Sequence, residues 1–160
     1  MRPTAANGVV RAGEDRSGER HGLGVSVIAF KVITPELLVL ENSFHAPGGP
    51  PRHLHLEQDE WFCALDGEFV IEVGDARHLL RPGDSVLGPR RVAHVWASTG
   101  PGRILVAFSP AGDMEAFFRE VTKADAMPSQ DPAVWSAHGM EVVGPPLALE
   151  RPAASRGAPY

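Results

Sequence analysis

Between Val25 and Phe108 short apolar stretches alternate with turn-forming residues, at intervals that suit β-strands. VSVIAFKVI (Val25 to Ile33) and LLVLENSF (Leu37 to Phe44) are rich in β-branched and apolar residues and flank a Thr-Pro-Glu turn, so both are predicted as strands. HAPGGPP breaks the pattern. Its prolines lack a donor and its glycines fix no conformation, which makes it a loop delivering the chain to a strand that carries His53 and His55. EWFCAL, Asp66-Gly67 and EFVIEV predict a hairpin, since Asp-Gly favours the primed turns that match strand twist. Gly74-Asp75 marks the next turn, Arg77 to Leu80 a short strand, Pro82-Gly83-Asp84 a turn, and Ser85 to Leu87 another strand. Val92 to Ala97 and Arg103 to Phe108 follow, separated by Ser-Thr-Gly-Pro-Gly. Short strands at this spacing predict an all-β domain, an antiparallel sandwich or small barrel.

The period changes once. In MEAFFREVTKA the residues Met114, Phe117, Phe118 and Val121 fall at helical spacing, and Asp113 stands where an N-cap belongs. This predicts a C-terminal α-helix packed on the outside of the barrel. Residues 1–24, rich in Gly, Arg and acidic side chains, have little to bury and are expected to stay loose or to wrap a neighbour. Residues 25–125 form the predicted domain. Residues 126–160 read as a Pro-rich tail, with order expected only as a short helical turn near Ala133 to Ala137.

Composition narrows the class. Of the 160 residues, 43% are hydrophobic and 22% charged, as in ordinary globular domains. A formal net charge of -5 with mixed signs gives no basic patch, so neither nucleic acid nor an anionic membrane surface is an expected partner. Cys63 is the single cysteine, which excludes an intrachain disulfide, and no apolar run reaches the roughly 20 residues that span a bilayer. The first residues lack the apolar core of a signal peptide, and a cytoplasmic location is expected.

The chemistry concentrates in PPRHLHLEQDEWFCALDG (Pro50 to Gly67). His53 and His55 are two apart, so on a strand they leave the same face and can bind one ion together. Glu60 follows after a gap long enough to bring a carboxylate back to that face. His94, beyond the turn at Gly88 and Pro89, supplies a third imidazole. Three imidazoles and a carboxylate suit one divalent transition metal, with positions left for water or substrate. Iron, nickel, zinc, copper and manganese are all compatible. Strand alternation places Phe62 and Ala64 on the face of Glu60, and Trp96 on that of His94, so Phe62 and Trp96 are the candidate substrate-pocket residues. Cys63 falls on the opposite face and reads as a small hydrophobe. His21, His45, His78 and His138 read as ordinary loop or solvated histidines, and Arg90 and Arg91 stand beside the site.

These residues resemble the cupin superfamily. Its first motif, HxH, then Glu after three or four residues and Gly after six more, is met by His53, His55, Glu60 and Gly67. Of its second motif the chain has Gly83, Pro89 and His94, with Arg91 where the pattern has Gly and Ser98 where it has Asn. The glycine six before the first histidine is displaced, since position 47 is Pro and Gly48 and Gly49 follow. The resemblance covers roughly Leu37 to Phe118, and a weaker likeness to small bacterial quercetin-dioxygenase-like cupins extends through His138 to Leu147. It implies a single jelly-roll β-barrel with the metal inside, and often a homodimer. It also implies a metal-dependent dioxygenase acting on a small aromatic or enolisable substrate, with Glu60 as both ligand and catalytic base. Non-oxidative isomerase, cyclase or lyase chemistry on the same metal, or a non-catalytic binding role, stand as alternatives.

Overall fold

The computed structural model describes residues 7–127 and 129–149. Eleven strands and two short helices follow in the order β1 (His21–Leu23), β2 (Ser26–Ile33), β3 (Leu38–Phe44), β4 (Pro51–His55), β5 (Asp59–Asp66), β6 (Phe69–Val73), β7 (Ala76–Leu80), β8 (Ser85–Gly88), β9 (His94–Ser98), β10 (Gly102–Ser109), α1 (Met114–Val121), α2 (Pro132–Ser136) and β11 (Met140–Pro146). They build two antiparallel sheets, ordered β1-β2-β3-β10-β5-β8 and β11-β4-β9-β6-β7. Face to face, these form the jelly roll, and the expected all-β class and C-terminal helix are both present.

Alternation decides which face of each strand is buried. Along β10, Ile104, Val106 and Phe108 point inward, opposite Ala64, Phe62 and Glu60 of β5 and Asn42, Leu40 and Leu38 of β3. The second sheet answers with Phe69, Ile71, Trp96 and Met140. Burying a side chain of this size contributes about 1.5–3 kcal/mol, and the row of inward phenylalanines is the main source of cohesion between the sheets.

Four expectations need correction. Strands β5 and β6 do not form a hairpin: β5 pairs with β10 and β8, whereas β6 pairs with β7 and β9 in the other sheet. Asp66-Gly67 is a corner between sheets, because each sheet's apolar face needs the other to cover it. Gly67 sits there with φ 73°, and a Cβ would lie 2.5 Å from the carbonyl oxygen of Pro101. The N-terminal segment is not loose over its described part. Asp15 is buried and accepts from the backbone of Phe30 and Ser17, and β1 pairs with β2. His21, far from solvated, is buried with its ring edge-on to Phe30.

The C-terminal stretch is likewise more than a tail. The short helix is found, at Pro132–Ser136 with Asp131 capping the backbone of Ala133, but it is followed by β11, which pairs with β4. Prolines lie at the end of that edge strand, where no ladder donor is needed. Residues 1–6, 128 and 150–160 of the predicted segments lie outside the described residues. Helix α1 is the expected C-terminal helix, and its Met114, Phe117, Phe118 and Val121 line the wall of a cavity. Asp113 holds the N-cap position without a capping bond, its carboxylate standing 3.6 Å from His138 instead. Among the described residues no helix is long and apolar enough to cross a membrane.

Candidate metal centre

Three imidazoles come from one sheet and the carboxylate from the other. On β4 the burial alternates, so His53 and His55 point inward while Arg52 and Leu54 lie outward and partly exposed. His94 opens β9 as the cross-strand partner of His53. Glu60 lies on β5 between Phe108 and Gly88. The connecting loops clamp each other. Arg90 holds Asp59 through its backbone N–H and its guanidinium, and the Arg91 N–H donates to the carbonyl of His55 at 2.7 Å. Arg91 does so at φ 66°, the left-handed conformation for which glycine is the usual residue. The arginine therefore keeps the loop geometry of the motif despite its side chain. Ser98, in place of asparagine, is fully buried and its hydroxyl donates to the Gly100 carbonyl, closing the turn after β9. Gly49 supplies the displaced glycine: a Cβ there would stand 2.0 Å from the carbonyl oxygen of Trp96.

His53, His55, Glu60 and His94 each offer one ligand atom, all within 4.8 Å of one another, and all four side chains are buried. Glu60 Oε2 lies 2.9 Å from His55 Nε2, 2.6 Å from His94 Nε2 and 3.9 Å from His53 Nε2. The three ring nitrogens thus converge on one carboxylate oxygen. The Nδ1 of His53 lies 2.7 Å from the Pro51 carbonyl, so it carries the proton and leaves the Nε2 lone pair directed at the cluster. Burial, together with the neighbouring imidazoles His94 and His55, pushes the His53 pKa down to about 3 against the pull of Glu60. Neutral imidazole is the form a metal takes. Burial opposes charge on Glu60 too, yet the imidazoles of His94 and His55 hold its carboxyl well below the usual range, as an anion. His94 Nε2, although close to Glu60, makes no hydrogen bond and has no other partner. Buried polar atoms are nearly always satisfied. A single ion among these four donors would satisfy it, so the residues present fit one divalent transition metal.

A largely apolar cavity opens beside the cluster. Its volume is about 50 Å³, room for a few waters on the scale of about 10–15 Å³ for one. His53, His55 and Glu60 form its polar end, and Trp96, Phe44, Phe108, Met114, Phe117, Phe118, Trp135 and Met140 are among its walls. Of the two expected pocket residues, Trp96 lines the cavity. Phe62 does not: it is fully buried behind the cluster, its ring 5.7 Å from those of His94 and Trp96. Arg90 and Arg91 are engaged with Asp59 and Glu57 at the loop surface. Trp135, 4.7 Å from the His53 ring, was not anticipated, nor were Asn42 and Ser26 at the cavity's other end. A lone tryptophan in a polar, Pro-rich stretch and an asparagine at an inward strand position were the available signals.

Fold and site together define a cupin. Residues 44–108, about two fifths of the chain, match the family model described as Cupin domain, and the fold built around them is that of a cupin. An oxidoreductase of Arthrobotrys oligospora is 33% identical over 61 residues, 37% of this chain. The match spans only 24% of that relative's length. Among solved structures, an RmlC-like cupin from Shewanella frigidimarina is 25% identical at a TM-score of 0.54, covering 61% of this chain and 87% of that one. KdgF from Halomonas sp. is 22% identical at 0.56, covering 61% and 92%. The nucleoside dehydratase Pac13 is 10% identical at 0.54, covering 81% and 87%, and like KdgF it attests the fold alone.

Proposed function

We propose that this protein is a metal-dependent oxidoreductase of the dioxygenase type, acting on a small aromatic or enolisable compound. The observation that carries the reading is the convergence of His53, His55, Glu60 and His94, the first three of which line one end of a largely apolar cavity. The oxidoreductase name of the relative from Arthrobotrys oligospora agrees with it. A divalent redox-active ion held by these four residues would supply Lewis acidity and an electron path to dioxygen. The chain's own residues do the rest. Glu60, kept anionic among the imidazoles, takes the proton of a substrate hydroxyl or enol. Trp96 and Phe108 hold the flat part of the substrate, and the aromatic side chains of α1 and α2 exclude bulk water.

The test is oxygen uptake by metal-reconstituted protein with acetylacetone and catechol-type compounds, wild type against Glu60→Gln. Metal-dependent uptake matched to substrate loss, reduced about 10²–10⁴-fold in the variant, is the expected outcome. Turnover that continues without oxygen would replace this reading with isomerase, cyclase or lyase chemistry. Binding without turnover would leave a ligand-binding cupin.

A further inference from the structure

The end of the cavity away from the cluster contains a polar group that the fold does not use. Asn42 lies on β3 with its side chain inward, 7% exposed overall, and its Oδ1 is buried with no hydrogen-bond partner. It lines the same cavity as His53, His55 and Glu60. Ser26, buried on β2, lines it too. The register pairs Ser26 with Phe44 and Ile28 with Asn42, so Ser26 and Asn42 are diagonal neighbours on the inner face. Leu38, Phe108 and Glu60 share one rung of the first sheet, and Asn42 stands four residues beyond Leu38, roughly 13 Å along the strand. Trp96 on β9 and Phe44, two residues beyond Asn42 on β3, pack edge to face at 5.7 Å and belong to the apolar wall of the same cavity.

A carboxamide oxygen taken from water without a partner destabilises the fold, and at a position where leucine would fill the core that cost is an anomaly. We propose that Asn42, with Ser26 beside it, is a specificity subsite. The substrate then carries a hydrogen-bond donor, a hydroxyl or amine, at the end remote from the group held at the cluster, and Asn42 Oδ1 accepts from it. The inference rests on the cluster being a metal centre that anchors the other end.

Two catechols of nearly equal shape test it, 4-(hydroxymethyl)catechol and 4-methylcatechol, titrated calorimetrically into the zinc-loaded protein so that no turnover intervenes. Wild type should prefer the hydroxylated probe about tenfold, the worth of one well-made hydrogen bond. Asn42→Leu should lose that preference, keep its affinity for 4-methylcatechol, and melt at or above the wild-type temperature because the orphaned oxygen is gone. Equal affinities in wild type, a preference kept in Asn42→Leu, or a variant that melts well below wild type would each overturn the subsite. If neither probe binds the zinc-loaded protein, anchoring at the metal fails as a reading. The melting comparison then decides alone whether Asn42 is idle in the fold or part of its structure.

Discussion

Replacing Trp135 by alanine tests whether the C-terminal stretch is part of the cooperative fold. The indole is 2% exposed, its ring lies 4.7 Å from that of His53 and 4.9 Å from that of Phe117, and its N–H donates to the Ser129 carbonyl at 2.6 Å. Truncating a buried aromatic side chain to alanine costs about 3–5 kcal/mol, depending on how far the site collapses. Helix α2 is only five residues long and can settle into part of the gap, which places the expected loss near the lower bound, about 3 kcal/mol. For a chain of this size each kcal/mol moves the midpoint by about 2–4 °C, so the melting temperature should fall by roughly 6–12 °C. Trp135→Phe keeps most of the apolar contact and gives up the hydrogen bond, a loss of about 1 kcal/mol. Thermal and urea unfolding followed by circular dichroism measure both. A Trp135→Ala protein melting within about a degree of wild type would refute the reasoning, because residues 129–146 would then lie outside the unit that unfolds.

Glu41 gives a pH-dependent outcome. Its carboxylate is buried and accepts from Gly13, Lys31 and Arg103; burial opposes its charge, but these partners hold its pKa below the ordinary 4.5. A depressed folded-state value means the contribution is full above about pH 4.5 and lost as pH falls through that value. Wild type should therefore exceed Glu41→Gln in urea stability most clearly near pH 7, with the gap closing below pH 4.5; a gap that widens in acid would contradict the assignment. At Arg91 the left-handed backbone costs about 1–2 kcal/mol, Arg91→Gly gives back about 0.4–1 kcal/mol through the unfolded chain, and the exposed pair with Glu57 contributes little. Arg91→Gly should accordingly be slightly the more stable protein, and Arg91→Val clearly the less, in the same urea series.

The ligands were legible because HxH on a strand needs only the period of two, and the gaps to Glu60, Gly67 and His94 are local in sequence. The strands from β2 to β10 followed from alternation, with boundaries displaced by a residue or two, whereas β1 did not. What alternation does not carry is which sheet a strand joins. Asp66-Gly67 serves a hairpin and a corner equally well, and the choice falls to the apolar residues on both flanks. The same limit hid the C-terminal contribution. Prolines 145 and 146 argue against a strand in isolation, and the pairing of Val142 with His53 is a contact across some ninety residues that no local pattern encodes. Trp96 and Phe62 show the remaining difficulty: both obey the inward alternation, but only Trp96 reaches the cavity wall. Packing around His94 places Phe62 behind it.

Elemental analysis of the protein purified without added metal, then after reconstitution, bears on the metal centre most directly. Wild type should contain or take up about one equivalent of a divalent transition metal, as four converging donors require. His53→Ala and His94→Ala should lose it, while Asn42→Leu, outside the cluster, should keep it. A wild-type protein that neither holds a metal nor takes one up would contradict the account and leave the four buried side chains as a polar core without an ion.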